Sequence, residues 1–371
     1  MQSLIAKKID DSIKQMNKYI PGARKEEIRE KYDVEQVIKL SSNENPLSCA
    51  SPVRNVLEDL TVDPARYPDG SHRKLREALA DFYNVEFKQI IAGNGSDEII
   101  DLAVELMAAP GDEVIMAAET FSKYKMACQS RRVKPVEIPL DKNYRHDLEA
   151  MARAVNDRTR VIFICDPNNP TGTILKSSQL REFLRKIPRD ILVVIDQAYC
   201  EYVTAEDYFS DLSALKDHKN LIFTRTFSKI YGLAGLRVGY GLGSREIIEF
   251  MQRIRNPFNV NSVALEASLN ALRCQEHVRS CKRMNAEQRK FFENKFEEIN
   301  VEYIPGQANF IMIKCRVPAE NAFEHFARRG IIVRTGTSFG FEKWIRFTIP
   351  PADYRDHLST VCEKLKKKGV I

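Results

Sequence analysis

The chain has 371 residues, 43% of them hydrophobic and 29% charged, which is the composition of an ordinary soluble globular protein and long enough for about two domains. The net charge of +6 is spread along the chain, and its densest basic run, Lys364 to Lys368, reads as a solvated helix end, which argues against nucleic acid as a partner. Eight scattered cysteines without a C-x-x-C pair argue for reduced thiols, a cytoplasmic location and no metal site, and the absence of any run of ~18 apolar residues argues against a membrane span.

Residues 1–36 read as a polar, helical N-terminal arm that joins the smaller domain, broken at Tyr19-Ile20-Pro21-Gly22, with a charged helix over Lys25–Lys31. No secretory signal is visible in it. Val37–Leu40 is a short strand leading into the polar loop Ser42-Asn43-Glu44-Asn45-Pro46. Helices follow over Pro52–Leu60 and Leu75–Tyr83, the second with Leu75, Ala78, Leu79 and Phe82 on one face. From Gln89 the chain repeats strand, loop, helix. Strands are expected at Ile90–Ala92, Glu113–Met116, Val133–Ile138, Val161–Cys165, Ile191–Ile195 and Leu221–Phe223, with helices after Ser96, over Asp147–Val155 and over Ser178–Lys186. Continuous apolar strands alternating with helices predict an α/β fold, with a mostly parallel sheet covered by helices on both faces. After a helix over Arg245–Arg255 the texture changes. A long helical stretch, Ser262–Phe296, precedes strands at Phe310–Lys314, Ile331–Arg334 and Trp344–Ile349, with a helix over Ala319–Arg329. The expected division is a large domain over 37–255 and a smaller α+β domain over 256–371.

Open parallel sheets bind ligands beyond the carboxyl ends of their strands. Four polar loops sit there. Thr226, Ser228, Lys229 and Arg237 place an amine among hydroxyls and a guanidinium, a set suited to a phosphorylated aldehyde held as a Schiff base. Gly95, Ser96 and Asp97 open a helix, where free backbone N–H groups suit phosphate; the same residues also make an ordinary N-cap. Asp196 ends an apolar strand, so its carboxylate needs a partner, either a protonated ring nitrogen or the next helix. Asn169 lies in the turn Asn168–Gly172, and its amide, with the Tyr199 hydroxyl, suits a phenolic oxygen. Phe121 follows a strand and is either a ring-stacking residue or a core aromatic. Arg334 and Arg346 end or interrupt apolar strands, which is costly unless each meets an anion.

In order and spacing, these motifs resemble the fold type I, pyridoxal 5′-phosphate-dependent aminotransferases, and within them the histidinol-phosphate aminotransferase family. The resemblance runs through Ser42-Asn43-Glu44-Asn45-Pro46, Arg66-Tyr67-Pro68, Gly93-Asn94-Gly95-Ser96-Asp97-Glu98, Pro167 to Gly172, Asp196-Gln197-Ala198-Tyr199, Thr226-Phe227-Ser228-Lys229, Leu233 to Arg237 and Ala308-Asn309-Phe310. It implies that Lys229 carries the cofactor and shuttles a proton, and that Asp196 pairs with the pyridinium nitrogen. Asn169 and Tyr199 would bond the ring oxygen, and Phe121 would stack on the ring. Gly95, Ser96, Asp97, Thr226, Ser228 and Arg237 would form the phosphate site. Tyr67 would reach the neighbouring subunit's phosphate, which implies a homodimer with shared sites. Asn45 and Arg346 would bind a substrate carboxylate, Tyr19 would close over the substrate, and Arg334 would help bind a substrate phosphate. The reaction implied is histidinol phosphate with 2-oxoglutarate, in histidine biosynthesis. Aromatic amino acid transamination, decarboxylation of an amino acid phosphate and non-catalytic pyridoxal phosphate binding are the alternatives. Three departures stand out: Gln197 where the family commonly has Glu, which would remove one negative charge near the ring site, Thr335 after Arg334 where many members have Pro, and Ile349-Pro350-Pro351 where many end in Gly-Thr.

Overall fold

A computed structural model describes residues 4–14, 16, 22–58, 62–63 and 65–371. Tyr19 lies outside them. The strands are β1 (Ile38–Lys39), β2 (Ile90–Gly93), β3 (Glu113–Ala117), β4 (Lys134–Ile138), β5 (Thr159–Cys165), β6 (Leu192–Asp196), β7 (Leu221–Thr226), β8 (Gly239–Gly243), β9 (Tyr303–Ile304), β10 (Phe310–Lys314), β11 (Ile331–Ile332), β12 (Arg334–Thr335) and β13 (Trp344–Thr348).

Seven of them form one sheet in the order β2-β8-β7-β6-β5-β3-β4. Every neighbouring pair is parallel except the two made by β8, which runs antiparallel to both β2 and β7. The central strands are buried on both faces, which is why they read as unbroken apolar runs. β4 is one of the two edge strands, half-exposed, and carries Pro135 where a missing N–H costs little.

β8 was not expected, because Gly239-Tyr240-Gly241-Leu242-Gly243 carries no apolar run. Its glycines are required by close approach: a Cβ on Gly239 would stand 2.4 Å from the Ser96 nitrogen, and one on Gly241 would press on Ile91 and Ile99. The long helical stretch after Ser262 is two helices, Ser262–Arg273 and Gln275–Glu298, divided at Cys274. The helix Lys123–Ser130 was not foreseen, and Phe82 is exposed rather than on the buried face with Leu75 and Leu79.

The largest apolar core lies on one side of the seven-stranded sheet, and its members run from Ala50 to Cys281 with Ala308 and Phe310 added. A second core fills the other side, built from helix Ser96–Met107, Tyr124, Phe163 and Met251. A third joins Phe292, Phe296 and Phe326 to the four-stranded antiparallel sheet β12-β13-β10-β9 and to the C-terminal helix Ala352–Lys367. Ile38 and Leu40 also enter this third core, and β1 pairs in parallel with β11. Residues 40–49 therefore run as a strap from the third core to the carboxyl end of the large sheet. No described helix is long and apolar enough to cross a membrane.

Candidate active site

β5, β6 and β7 end side by side, with Cys165 opposite Asp196 and Asp196 opposite Thr224. This register brings the loops after them to one place. Lys229 follows β7 and is half-buried. Its Nζ lies 5.4 Å from the centroid of the Tyr199 ring and donates to the Ser42 carbonyl at 3.4 Å. Burial first, and then the nearby Arg346 guanidinium, lower its pKa to about 8.

Asp196 is 2% exposed. Its carboxylate accepts from the Tyr124 hydroxyl at 2.7 Å and the Ala198 N–H at 3.1 Å. Burial raises its pKa, and the Tyr124 hydrogen bond opposes that rise. Among the described residues no lysine, arginine or histidine forms an ion pair with it. A deeply buried carboxylate with two neutral donors and no cation fits a protonated ring nitrogen.

Helix Ser96–Met107 begins at Gly95, whose φ is +75°, and no side chain caps its first turn. Its first N–H groups are thus open to an anion. Arg237 stands against this turn. Its Nη2 reaches the Asp97 carboxylate at 3.1 Å, and its Nη1 lies 3.4 Å from the Ser228 hydroxyl. A Cβ on Gly95 would come within 2.6 Å of the Arg237 guanidinium, and the positive φ of +75° favours glycine there. Thr226 is buried and accepts the Ser228 N–H at 3.0 Å, which fixes the turn before Lys229. Helix end, two hydroxyls and guanidinium together form a cradle suited to phosphate.

Arg346, on β13, is buried. It donates to the Asn169 side-chain oxygen and, at 2.9 Å, to the Ser41 carbonyl, and it lies over the Phe310 and Phe339 rings. Arg334 is its register partner across β12 and β13 but is half-buried, with Nη2 3.5 Å from the Ser338 hydroxyl. A cavity of about 1350 Å³ has Arg334, Ser338 and Phe121 in its lining, though not Lys229. It adjoins Arg334 rather than the lysine. Phe121 meets Tyr124 edge-on, with centroids 5.8 Å apart, so it neighbours the ring that holds Asp196.

Two expected residues stand apart from this cluster. Asn45 gives its amide to the Ile230 carbonyl at 2.7 Å and the Cys281 sulfur at 3.2 Å, and its oxygen takes the Leu47 N–H. Tyr67 is 81% exposed and stacks on Phe258 at 4.5 Å. Gln197, expected near the ring site, instead accepts from Arg225 at 2.7 and 3.1 Å and donates to the Phe209 carbonyl, all in the core. Its neutral side chain therefore removes no charge from beside Asp196.

Two residues at the site were missed. Tyr124 holds Asp196, but it sits on a helix whose weak apolar pattern gave no signal. Asn43 donates to the Tyr199 hydroxyl at 3.0 Å. Its sequence context reads only as a turn, and its positive φ of 56° is a conformation asparagine tolerates.

The family model described as aminotransferase class I and II matches residues 35–365. The chain belongs to that family. This aminotransferase is 45% identical over 336 residues to a histidinol-phosphate aminotransferase of Caldicellulosiruptor saccharolyticus, covering 91% of this chain and 94% of that one. It is 42% identical over 343 residues to a protein of the same name from Moorella thermoacetica, covering 92% and 89% respectively. Among solved structures it matches the histidinol-phosphate aminotransferase of Sinorhizobium meliloti in complex with pyridoxal-5′-phosphate, with a TM-score of 0.86 at 23% identity over 97% of this chain and 98% of that one. An aspartate aminotransferase of Thermus thermophilus with maleate gives 0.81 at 19% identity over 96% and 99%. At these identities the structural likeness is one of fold.

Proposed function

We propose that this aminotransferase uses pyridoxal 5′-phosphate and moves the amino group of histidinol phosphate to 2-oxoglutarate. The observation that carries the reading is the juxtaposition of Lys229, a cation-free buried Asp196 and an uncapped helix end beside Arg237. The substrate pair rests on relatives 45% and 42% identical over nine-tenths of the chain.

Pyridoxal phosphate, when bound, supplies an aldehyde for an amine and a pyridinium ring that takes up the electron pair released at the substrate carbon. The chain's own residues do the rest. The N–H groups of Gly95, Ser96 and Asp97, with Thr226, Ser228 and Arg237, would hold the phosphate. Asp196, kept in place by Tyr124, would hold a proton on the ring nitrogen. Asn169 and Tyr199 would bond the ring oxygen, and Phe121 would stack on the ring. Lys229 has a pKa near the working pH, so its Nζ can both take a proton from the substrate carbon and return one. Arg346 receives a carboxylate of glutamate or 2-oxoglutarate, and Arg334, half-exposed beside the cavity, receives the substrate phosphate. Asn45 acts on the lysine loop rather than on substrate directly, since its amide is spent on Ile230.

The protein works as a cytoplasmic homodimer. Tyr67 is exposed beside Phe258, which suits a ring reserved for a neighbouring subunit's phosphate, and all eight cysteines are free. A substrate panel tests the reading. Purified protein with pyridoxal phosphate should form glutamate from 2-oxoglutarate faster with histidinol phosphate than with phenylalanine or tyrosine. Preference for an aromatic amino acid would reassign the substrate, and no transfer with any donor would refute the activity.

A further inference from the structure

The strap at residues 40–49 carries a buried polar group that the expected chemistry does not use. Asn43 is buried and held at four points. Its N–H donates to the Thr348 hydroxyl at 2.9 Å, and its carbonyl accepts from the Asn309 amide at 3.1 Å. Its side-chain oxygen lies 3.4 Å from the Thr348 hydroxyl, and its side-chain nitrogen donates to the Tyr199 hydroxyl at 3.0 Å. The Thr348 hydroxyl takes the Asn43 N–H and gives its own proton to the Leu40 carbonyl at 2.9 Å, so Asn43 is fixed through its backbone. The Asn43 NH₂ faces the Tyr199 hydroxyl.

A phenol has one proton and further lone pairs. If Asn43 donates to the Tyr199 oxygen, the phenolic proton is left for another acceptor. If Asn43 faced Tyr199 with its oxygen instead, that proton would be consumed within the protein. We propose that Asn43 is a positioning residue that fixes the direction of the Tyr199 hydroxyl, reserving its proton for the ring oxygen of the bound cofactor. The inference rests on the pyridoxal phosphate reading. Through Thr348 and Asn309 it also places control of Tyr199 on β13 and on the segment before β10, so the substrate-side sheet sets the donor strength on the cofactor side.

The geometry makes the test clean. At a φ of 56°, Gly and Asp are both tolerated, so neither Asn43→Gly nor Asn43→Asp strains the backbone. The readout is the pH midpoint of the visible absorbance of pyridoxal phosphate bound to the purified protein, together with its dissociation constant. A carboxylate at position 43 can only accept and captures the Tyr199 proton, so the ring oxygen loses a donor. Asn43→Asp should therefore raise the midpoint by about one pH unit, while the dissociation constant changes less than about threefold, because the phosphate cradle is untouched. Asn43→Gly leaves the phenolic proton free and should move the midpoint by less than Asn43→Asp does. In a Tyr199→Phe background, Asn43→Asp should have no further effect. An unchanged midpoint in Asn43→Asp, a lowered one in Asn43→Gly, or an Asn43→Asp shift that persists without the tyrosine hydroxyl would each overturn the inference. The last would mean the added charge acts through space. Failure of the parent protein to develop any absorbance band with pyridoxal phosphate would instead refute the cofactor reading on which the inference stands.

Discussion

With a pKa lowered to about 8, Lys229 is poised to exchange a proton near neutral pH. The cost of that poise falls on the folded state of the cofactor-free protein. Below pH 8 the lysine is protonated in both folded and unfolded chains, and the folded one bears the desolvation of the charge and its repulsion from Arg346. As pH rises from 8 toward 10.5, the folded chain sheds the proton that the unfolded chain still holds, so this penalty disappears. Lys229→Met should therefore stabilise the cofactor-free protein by ~2 kcal/mol at pH 7, with the gain fading to nothing above pH ~10.5, as read by denaturant unfolding across the pH range. A constant gain at every pH would mean that packing, and not charge, was responsible. The same variant loses transamination. Arg346 belongs to the same scale. Its removal deletes a charge-assisted donor but leaves Asp196 and the phosphate cradle intact, so Arg346→Ala should raise the KM for 2-oxoglutarate roughly 100-fold, with a smaller change in kcat. An unchanged KM would make Arg346 a structural residue of the β13 face.

At the scale of elements, the strap over residues 40–49 and strand β8 are what bring separate parts of the chain into one site. The strap is pinned to the lysine loop by Asn45 on the Ile230 carbonyl, and by Gly232, where a Cβ would meet the Ser48 carbonyl at 2.4 Å. β8 is pressed just as closely on the start of helix Ser96–Met107. Gly239→Ala should therefore push on the Ser96 nitrogen, lower stability by about 1–3 kcal/mol and weaken pyridoxal phosphate binding; calorimetry and a cofactor titration would show both. A loss of stability without a loss of affinity would detach β8 from the phosphate site. These two elements also mark what could be read in advance. The parallel strands were legible because burial on both faces leaves an apolar run that periodicity finds, and Lys229 and Asp196 were legible because they sit at or just past the ends of such runs. β8 was not, since its logic is the absence of side chains. Asn43 and Tyr124 were not either, because each acts through a tertiary partner, Tyr199 and Asp196, that no local pattern reveals. Gln197 was read into the wrong surroundings for the same reason: adjacent strand-end residues face opposite ways, and only the packed structure shows that Arg225 is its partner.

At the scale of the molecule, every residue proposed to act on the cofactor except Tyr67 gathers around the ends of β5, β6 and β7, the start of helix Ser96–Met107 or the neighbouring four-stranded sheet. Tyr67 projects from the surface, stacked on Phe258. The stacked ring leaves most of Tyr67 exposed, where a second subunit could cover it. In a twofold dimer the same loop from each subunit meets the same surface of the other, so a ring exposed in one chain can complete the site of its partner. This arrangement predicts complementation. A Lys229→Ala subunit has a dead lysine but a sound Tyr67 loop, and a Tyr67→Ala subunit has the reverse. When the two inactive or weakened variants are unfolded together and refolded in equal amounts, about half of the dimers are hybrids, and in each hybrid one site carries both lesions and the other carries neither. Activity at limiting pyridoxal phosphate should recover to about a quarter of the parent value, above the sum of the two variants refolded apart. If Tyr67 serves its own chain, every hybrid site keeps one lesion and mixing yields no recovery beyond that sum.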